Sequence, residues 1–185
     1  MVAPVPCDLP FIAAEERGSS FEAMASEKAV ALSQQLQAAG RPSLTIASDG
    51  GLLIPGLGSG WNPLTTRRFA GEAASDLERA ELLLRMADSL DGSQREIGWR
   101  EAVAIANHGT LAGVWSAQGD PGLLASTVDG ALVDLQPGFW IPAIWLVPQY
   151  GNRPLASLTA AERVSIDDHW RKLQEPVRGA LARLS

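Results

Sequence analysis

The sequence predicts a mixed α/β domain, and three observations carry the prediction. First, a serine or threonine followed three residues later by glutamate heads three segments with helical patterning. These are Ser19-Ser20-Phe21-Glu22, Ser75-Asp76-Leu77-Glu78 and Thr159-Ala160-Ala161-Glu162. That spacing is a capping box, in which side chain and backbone satisfy each other's open hydrogen-bonding groups. Second, β-branched and aromatic runs lie between the first and last of these, and two of them flank Asn107-His108-Gly109, a hairpin turn signal. Third, 46% of the 185 residues are apolar and 19% charged, enough to build a core. Residues 1–185 read as one domain.

The elements follow in order. Residues 1–17 are proline-rich and then acidic, and read as an extended lead-in. The first capping box opens a helix from Phe21 to Ala39, stopped by Gly40. Residues 43–48, SLTIAS, form a buried strand that ends at Asp49-Gly50-Gly51, and Leu52 to Ile54 is a short strand in the loop beyond. The second box opens a helix to about Leu90, with Leu77, Ala80, Leu83, Leu84 and Ala87 on one face. REIGWREAVAIA and TLAGVWSAQG are the two hairpin strands. GALVDL and FWIPAIWLV read as further strands, Pro142 placing the second at an edge or bulge. The third box opens a helix that Pro176 kinks or ends.

The formal net charge is −6. A chain this acidic repels nucleic acid and anionic membranes, so neither is an expected partner. A small anion remains compatible if a metal or a local cation cluster screens it. The single cysteine, Cys7, rules out an intrachain disulfide and points to a reducing, cytoplasmic setting. The N-terminus lacks signal-peptide character, and no apolar stretch is long enough to span a bilayer.

The order of several motifs resembles the inosine triphosphate pyrophosphatase family, enzymes that hydrolyse non-standard purine nucleoside triphosphates. Ser20-Phe21-Glu22-Ala23-Met24-Ala25-Ser26-Glu27-Lys28-Ala29 stands where the family has T-F-x-E-N-A-x-x-K-A. Ala47-Ser48-Asp49-Gly50-Gly51-Leu52 stands for A-D-D-S-G-L, and Thr66-Arg67-Arg68-Phe69-Ala70-Gly71-Glu72 for S-A-R-Y-A-G-E. Gly138-Phe139-Trp140-Ile141-Pro142-Ala143-Ile144-Trp145 corresponds to G-F-G-Y-D-P-x-F, and Ala156-Ser157-Leu158-Thr159 to A-E-L-S. The resemblance covers residues 8–175. It implies a long twisted mixed sheet between two α/β lobes, a nucleotide cleft and usually a homodimer. It also implies attack of water on the α-phosphate, with magnesium as cofactor.

The resemblance assigns roles residue by residue. Asp49 matches the acid that binds metal and activates water; by its residues alone it reads first as a turn aspartate before two glycines. Lys28 matches a phosphate-contacting lysine, or is a solvated helix lysine. Ala23 falls where the family has its metal glutamate, which leaves Glu22 and Glu27 as candidate substitutes. For Glu22 the capping box is the competing role. Arg68 would meet phosphate or brace its loop. Phe139 and Trp140 would stack on the base or pack in a core, and the apolar stretch Phe139 to Val147 would serve a core or a dimer interface. His169 and Arg171 stand one residue from the family's base-reading S-H-R. The T-G-N-x-x-K phosphate loop has no counterpart before Asp8, so the first strand and helix of the family fold are expected to be missing. Two alternatives follow: an inactive relative that binds nucleotide or protein, or a shortened reading frame.

Overall fold

A computed structural model describes residues 18–184. The lead-in and Cys7 lie outside them. The described elements are helices α1 (Phe21–Ala38), α2 (Asp76–Met86), α3 (Gly130–Val133), α4 (Ile141–Ile144), α5 (Ala160–Val164) and α6 (His169–Leu184). The strands are β1 (Thr45–Leu53), β2 (Glu96–Asn107), β3 (Thr110–Gln118), β4 (Gly122–Leu124), β5 (Trp145–Val147) and β6 (Arg153–Pro154). They form a six-stranded sheet in the order β1-β2-β4-β5-β6, with β3 also paired to β2. The mixed α/β class is therefore as the sequence predicts.

The chain forms two compact units, and β1 and β2 contribute to both. The first unit holds residues 18–50, 100–118 and 169–184 of those described. Here β2 and β3 pair antiparallel from Arg100↔Gln118 to Asn107↔Thr110, with a bulge between Ile105 and Ala106. The turn is His108-Gly109, with φ of 48° and 74°. Two successive residues in the left-handed region suit the right-handed twist of a hairpin, which is why glycine follows histidine there. Helices α1 and α6 both pack on β3. Buried Ser33 accepts from the Gly109 N–H at 2.9 Å, and buried Thr45 donates to the Ala29 carbonyl at 2.8 Å. These bonds tie α1 to the hairpin turn and to β1.

The second unit holds Gly51–Trp99 and Gly119–Asp168. Its core gathers Leu52, Leu83, Ile97, Leu124, Ile144 and Trp145, among others. Arg95 anchors it. Its guanidinium donates to the carbonyls of Ala87, Leu90 and Leu124 at 2.8, 3.2 and 2.9 Å, and to Ala125. One side chain thus satisfies carbonyls beyond the end of α2 and at the end of β4.

Several expectations need correction. The capping boxes at Ser75/Glu78 and Thr159/Glu162 form, but the first does not. The N-cap of α1 is Ser20, which accepts from the Ala23 N–H at 3.2 Å, so Ala23 rather than Glu22 holds the third helical position. Strand β1 does not stop at Asp49 but runs through both glycines to Leu53. GALVDL is a helical turn, because Asp129 caps it. FWIPAIWLV divides into α4 and β5: Pro142 sits in the first turn of α4, where its missing N–H is not needed. The helix opened by Thr159 ends at Val164, and Pro176 lies inside a separate helix, α6. That helix continues because Leu173 and Ala180 are buried on either side of the proline. Helix α2 ends at Met86; Leu77 is exposed, while Ala80, Leu83, Leu84 and Ala87 are buried.

Candidate active site

The first unit brings Lys28 and Asp49 together. Lys28, on the second turn of α1, donates to the Asp49 carboxylate on β1. The aspartate side chain is 9% exposed and the lysine 26%. Asp49 lies mid-strand, so an extended backbone rather than a turn aims it at α1. Its charge is offset by one cation across the helix–sheet junction, where partial burial strengthens the attraction relative to a surface pair.

Glu22 also turns inward. Its carboxylate accepts from Arg100 of β2 at 2.8 Å, and the same guanidinium nitrogen reaches the Ser116 hydroxyl of β3 at 3.1 Å. The Ser116 hydrogen bond is the largest influence holding the Glu22 carboxyl below its usual range; it outweighs the opposing desolvation, and the Arg100 charge adds to it.

Glu101 is buried at 6% exposure and lies over Gly50. A Cβ at Gly50 would strike its carboxylate. Gly50 and Glu101 therefore occupy one face of the sheet. Side chains alternate along strands, so Asp49 and Arg100 occupy the other, the face covered by α1.

Glu27 is half-buried on α1. His169 and Trp170 open α6 with ring centroids 5.4 Å apart, and Arg171 follows on an exposed stretch of the same helix. In the second unit Arg68 is exposed after a short helical turn, its N–H bonded to the Thr65 carbonyl at 2.8 Å. Phe139 is 47% exposed and meets Trp99 edge-on at 5.9 Å. Trp140 is buried beside Phe69, with centroids 6.0 Å apart.

Sequence reasoning missed Arg100, Glu101 and Ser116. The signal was present: Arg100-Glu101 interrupts an otherwise apolar strand, and adjacent charges on opposite sheet faces each require a partner.

The donor set suits a magnesium ion that arrives with a phosphate chain. Among the described residues no three His, Cys, Asp or Glu side chains converge as a metal cage. Magnesium does not require one, because it is commonly held by one or two carboxylates with phosphate oxygens and water. Asp49 is the carboxylate that would serve.

The fold is that of a mixed α/β protein, with an acid and a lysine joined across a helix–sheet junction. The chain belongs to the Ham1 family, whose model matches residues 4–175, and this is the inosine triphosphate pyrophosphatase family that its motif order resembles. It is 29% identical over 166 residues to a dITP/XTP pyrophosphatase of Bacillus cereus, covering 87% of this chain and 73% of that protein. It is 30% identical over 176 residues to a dITP/XTP pyrophosphatase of Geobacillus kaustophilus, covering 90% and 79%. Among solved structures, a HAM1 protein from Coxiella burnetii superposes with a TM-score of 0.71 at 26% identity, over 92% of this chain and 80% of that one. A nucleoside-triphosphatase / dITP/XTP pyrophosphatase from Mycobacterium abscessus gives 0.61 at 26% identity, over 98% and 80%.

Proposed function

We propose that this chain hydrolyses non-standard purine nucleoside triphosphates, of the dITP and XTP type, to the monophosphate and pyrophosphate. The observation that carries the reading is the Lys28–Asp49 pair in the first unit, formed by the two motif positions that the resemblance marks as phosphate lysine and acid. In this reading Lys28 leaves Asp49 for a phosphate oxygen as substrate enters. The freed carboxylate orients a water and takes its proton as the water oxygen bonds the α-phosphorus. The bond from the α-phosphorus to the bridging oxygen breaks, and pyrophosphate leaves. Magnesium, when bound, neutralises charge on the phosphate oxygens. Arg68 is proposed to meet phosphate, and Phe139, Trp140, His169 and Arg171 to face the base. A homodimer is the proposed assembly, and Glu22 and Glu27 are the proposed additional metal carboxylates.

One observation favours a second reading, an inactive relative that binds nucleotide. Ala23 stands at the position of the family's metal glutamate, and Glu22 beside it is engaged by Arg100. One assay separates the two: pyrophosphate release from dITP, XTP, dGTP and dATP with magnesium, for wild type, Asp49→Asn and Lys28→Ala. The hydrolase reading expects release from dITP and XTP that both substitutions reduce at least about a hundredfold. Release that Asp49→Asn leaves unchanged, or none in wild type, sinks it.

A further inference from the structure

We infer that Arg100 is a second triphosphate-binding cation, latched on Glu22 and Ser116 until the anion arrives. The inference rests on the triphosphate reading of this site and adds a residue that the motifs do not mark. Three observations support it.

The first is placement. Arg100 and Asp49 project from neighbouring strands onto the face that α1 covers, as the position of Glu101 over Gly50 requires. Their partners Glu22 and Lys28 are six residues apart on α1, about 9 Å along its axis. Two cations thus flank one stretch of helix, each held by a carboxylate, and a triphosphate is long enough to engage both. The second is chemistry. A chain with a net charge of −6 needs local cations to receive a polyanion. Arginine presents a planar fork suited to phosphate. Both bonds from Arg100 use Nη2, and a guanidinium has five N–H donors, so donors remain for a ligand while the latch is closed. The third is accessibility. The Arg100 side chain is 47% exposed and Glu22 31%. A pair that open to solvent adds little to stability, so folding alone gives a weak reason for it. When phosphate displaces Glu22, the Ser116 hydroxyl still holds the guanidinium in place.

The test is calorimetric binding of inorganic tripolyphosphate at low salt, for wild type, Arg100→Gln, Arg100→Lys and Glu22→Gln, each with its denaturation midpoint. Arg100→Gln is expected to weaken binding about tenfold or more, the size of one charge-assisted hydrogen bond. Arg100→Lys recovers part of the loss. Glu22→Gln binds severalfold more tightly, because the competing carboxylate is gone. Wild-type affinity in Arg100→Gln overturns the inference, as does equal weakening in Glu22→Gln, which would make the pair a brace for α1. So does a wild type that binds no tripolyphosphate. Hydrolysis separates this from the parent reading. If Asp49→Asn abolishes dITP hydrolysis while Arg100→Gln keeps the wild-type KM, the inference falls and the hydrolase stands. If tripolyphosphate binding depends on Arg100 but wild type hydrolyses nothing, the hydrolase falls and the cation stands.

Discussion

Gly50→Ala perturbs the residue next to Asp49 by one methyl group. The new Cβ would lie 2.8 Å from the Arg100 carbonyl oxygen and 2.8 Å from the Glu101 carboxyl carbon, and nearer still to Glu101 Oε2. Neither neighbour yields easily. The carbonyl belongs to the backbone of β2, and Glu101 is buried at 6% exposure. Overpacking of this kind costs about 1–3 kcal/mol, and the entropy gained by removing a glycine from the unfolded chain offsets about 0.4–1 kcal/mol. We expect a net loss of about 1–2 kcal/mol. At about 2–4 °C per kcal/mol for a chain of this size, Tm falls by roughly 2–8 °C. The cause is testable by a double-mutant cycle with Glu101→Ala, read by urea denaturation at constant m value. Removing the carboxylate relieves one contact and leaves the carbonyl contact. Gly50→Ala should therefore cost less, though still something, in the Glu101→Ala background. Equal cost in both backgrounds, or no cost in wild type, would refute the placement of Glu101 over Gly50. Because the backbone at Gly50 must shift to admit the methyl, Asp49 shifts with it, and hydrolysis should fall by more than the folded fraction does.

Arg95→Met removes the guanidinium from the carbonyls of Leu90, Leu124, Ala125 and Ala87, of which Ala87 keeps the Leu90 N–H at 3.0 Å. At about 1–3 kcal/mol for each acceptor that water cannot reach, a loss of at least about 3 kcal/mol is expected in denaturant titration, and Arg95→Lys, lacking the fork, should recover only part of it. Ser20→Ala removes the N-cap of α1 and should cost about 1 kcal/mol; Ser19→Ala should cost less, and the reverse order would restore the capping box expected from the sequence. Glu162 is held at about 2, against an ordinary 4.5, by the Thr159 N–H first and then by Arg153 and the Thr159 hydroxyl. A depressed carboxylate stabilises the fold above its unfolded pKa and loses that contribution as pH falls through the folded one. The difference in Tm between wild type and Glu162→Gln should therefore be constant above about pH 4.5 and shrink from there towards pH 2. A difference that grows with acidification would contradict the assignment.

What the sequence made legible was local. Ser75 and Glu78, or Thr159 and Glu162, need only each other and the backbone between them, so spacing alone identifies both capping boxes. The His108-Gly109 turn is legible for the same reason. GALVDL and FWIPAIWLV differ from the strands expected of them because short apolar runs fit either a strand or a buried helical turn, and the deciding residues, Asp129 and Pro142, act at helix starts rather than through periodicity. Of the candidate site, motif matching marked Lys28 and Asp49, and the fold adds only that the two side chains pair. Arg100 was not marked, because its partner Glu22 lies 78 residues away in sequence. Two serines competed for one cap, and the outcome governs Glu22. With Ser19 as the cap, Glu22 would fold back onto the helix's own N–H groups. With Ser20 as the cap, every side chain of the first turn occupies a helical position one earlier, about 100° away around the axis. Glu22 is then left to face β2 and β3, where it meets Arg100 and Ser116. Whether this helix start merely caps itself or contributes charge to the site is thus decided by one residue of register.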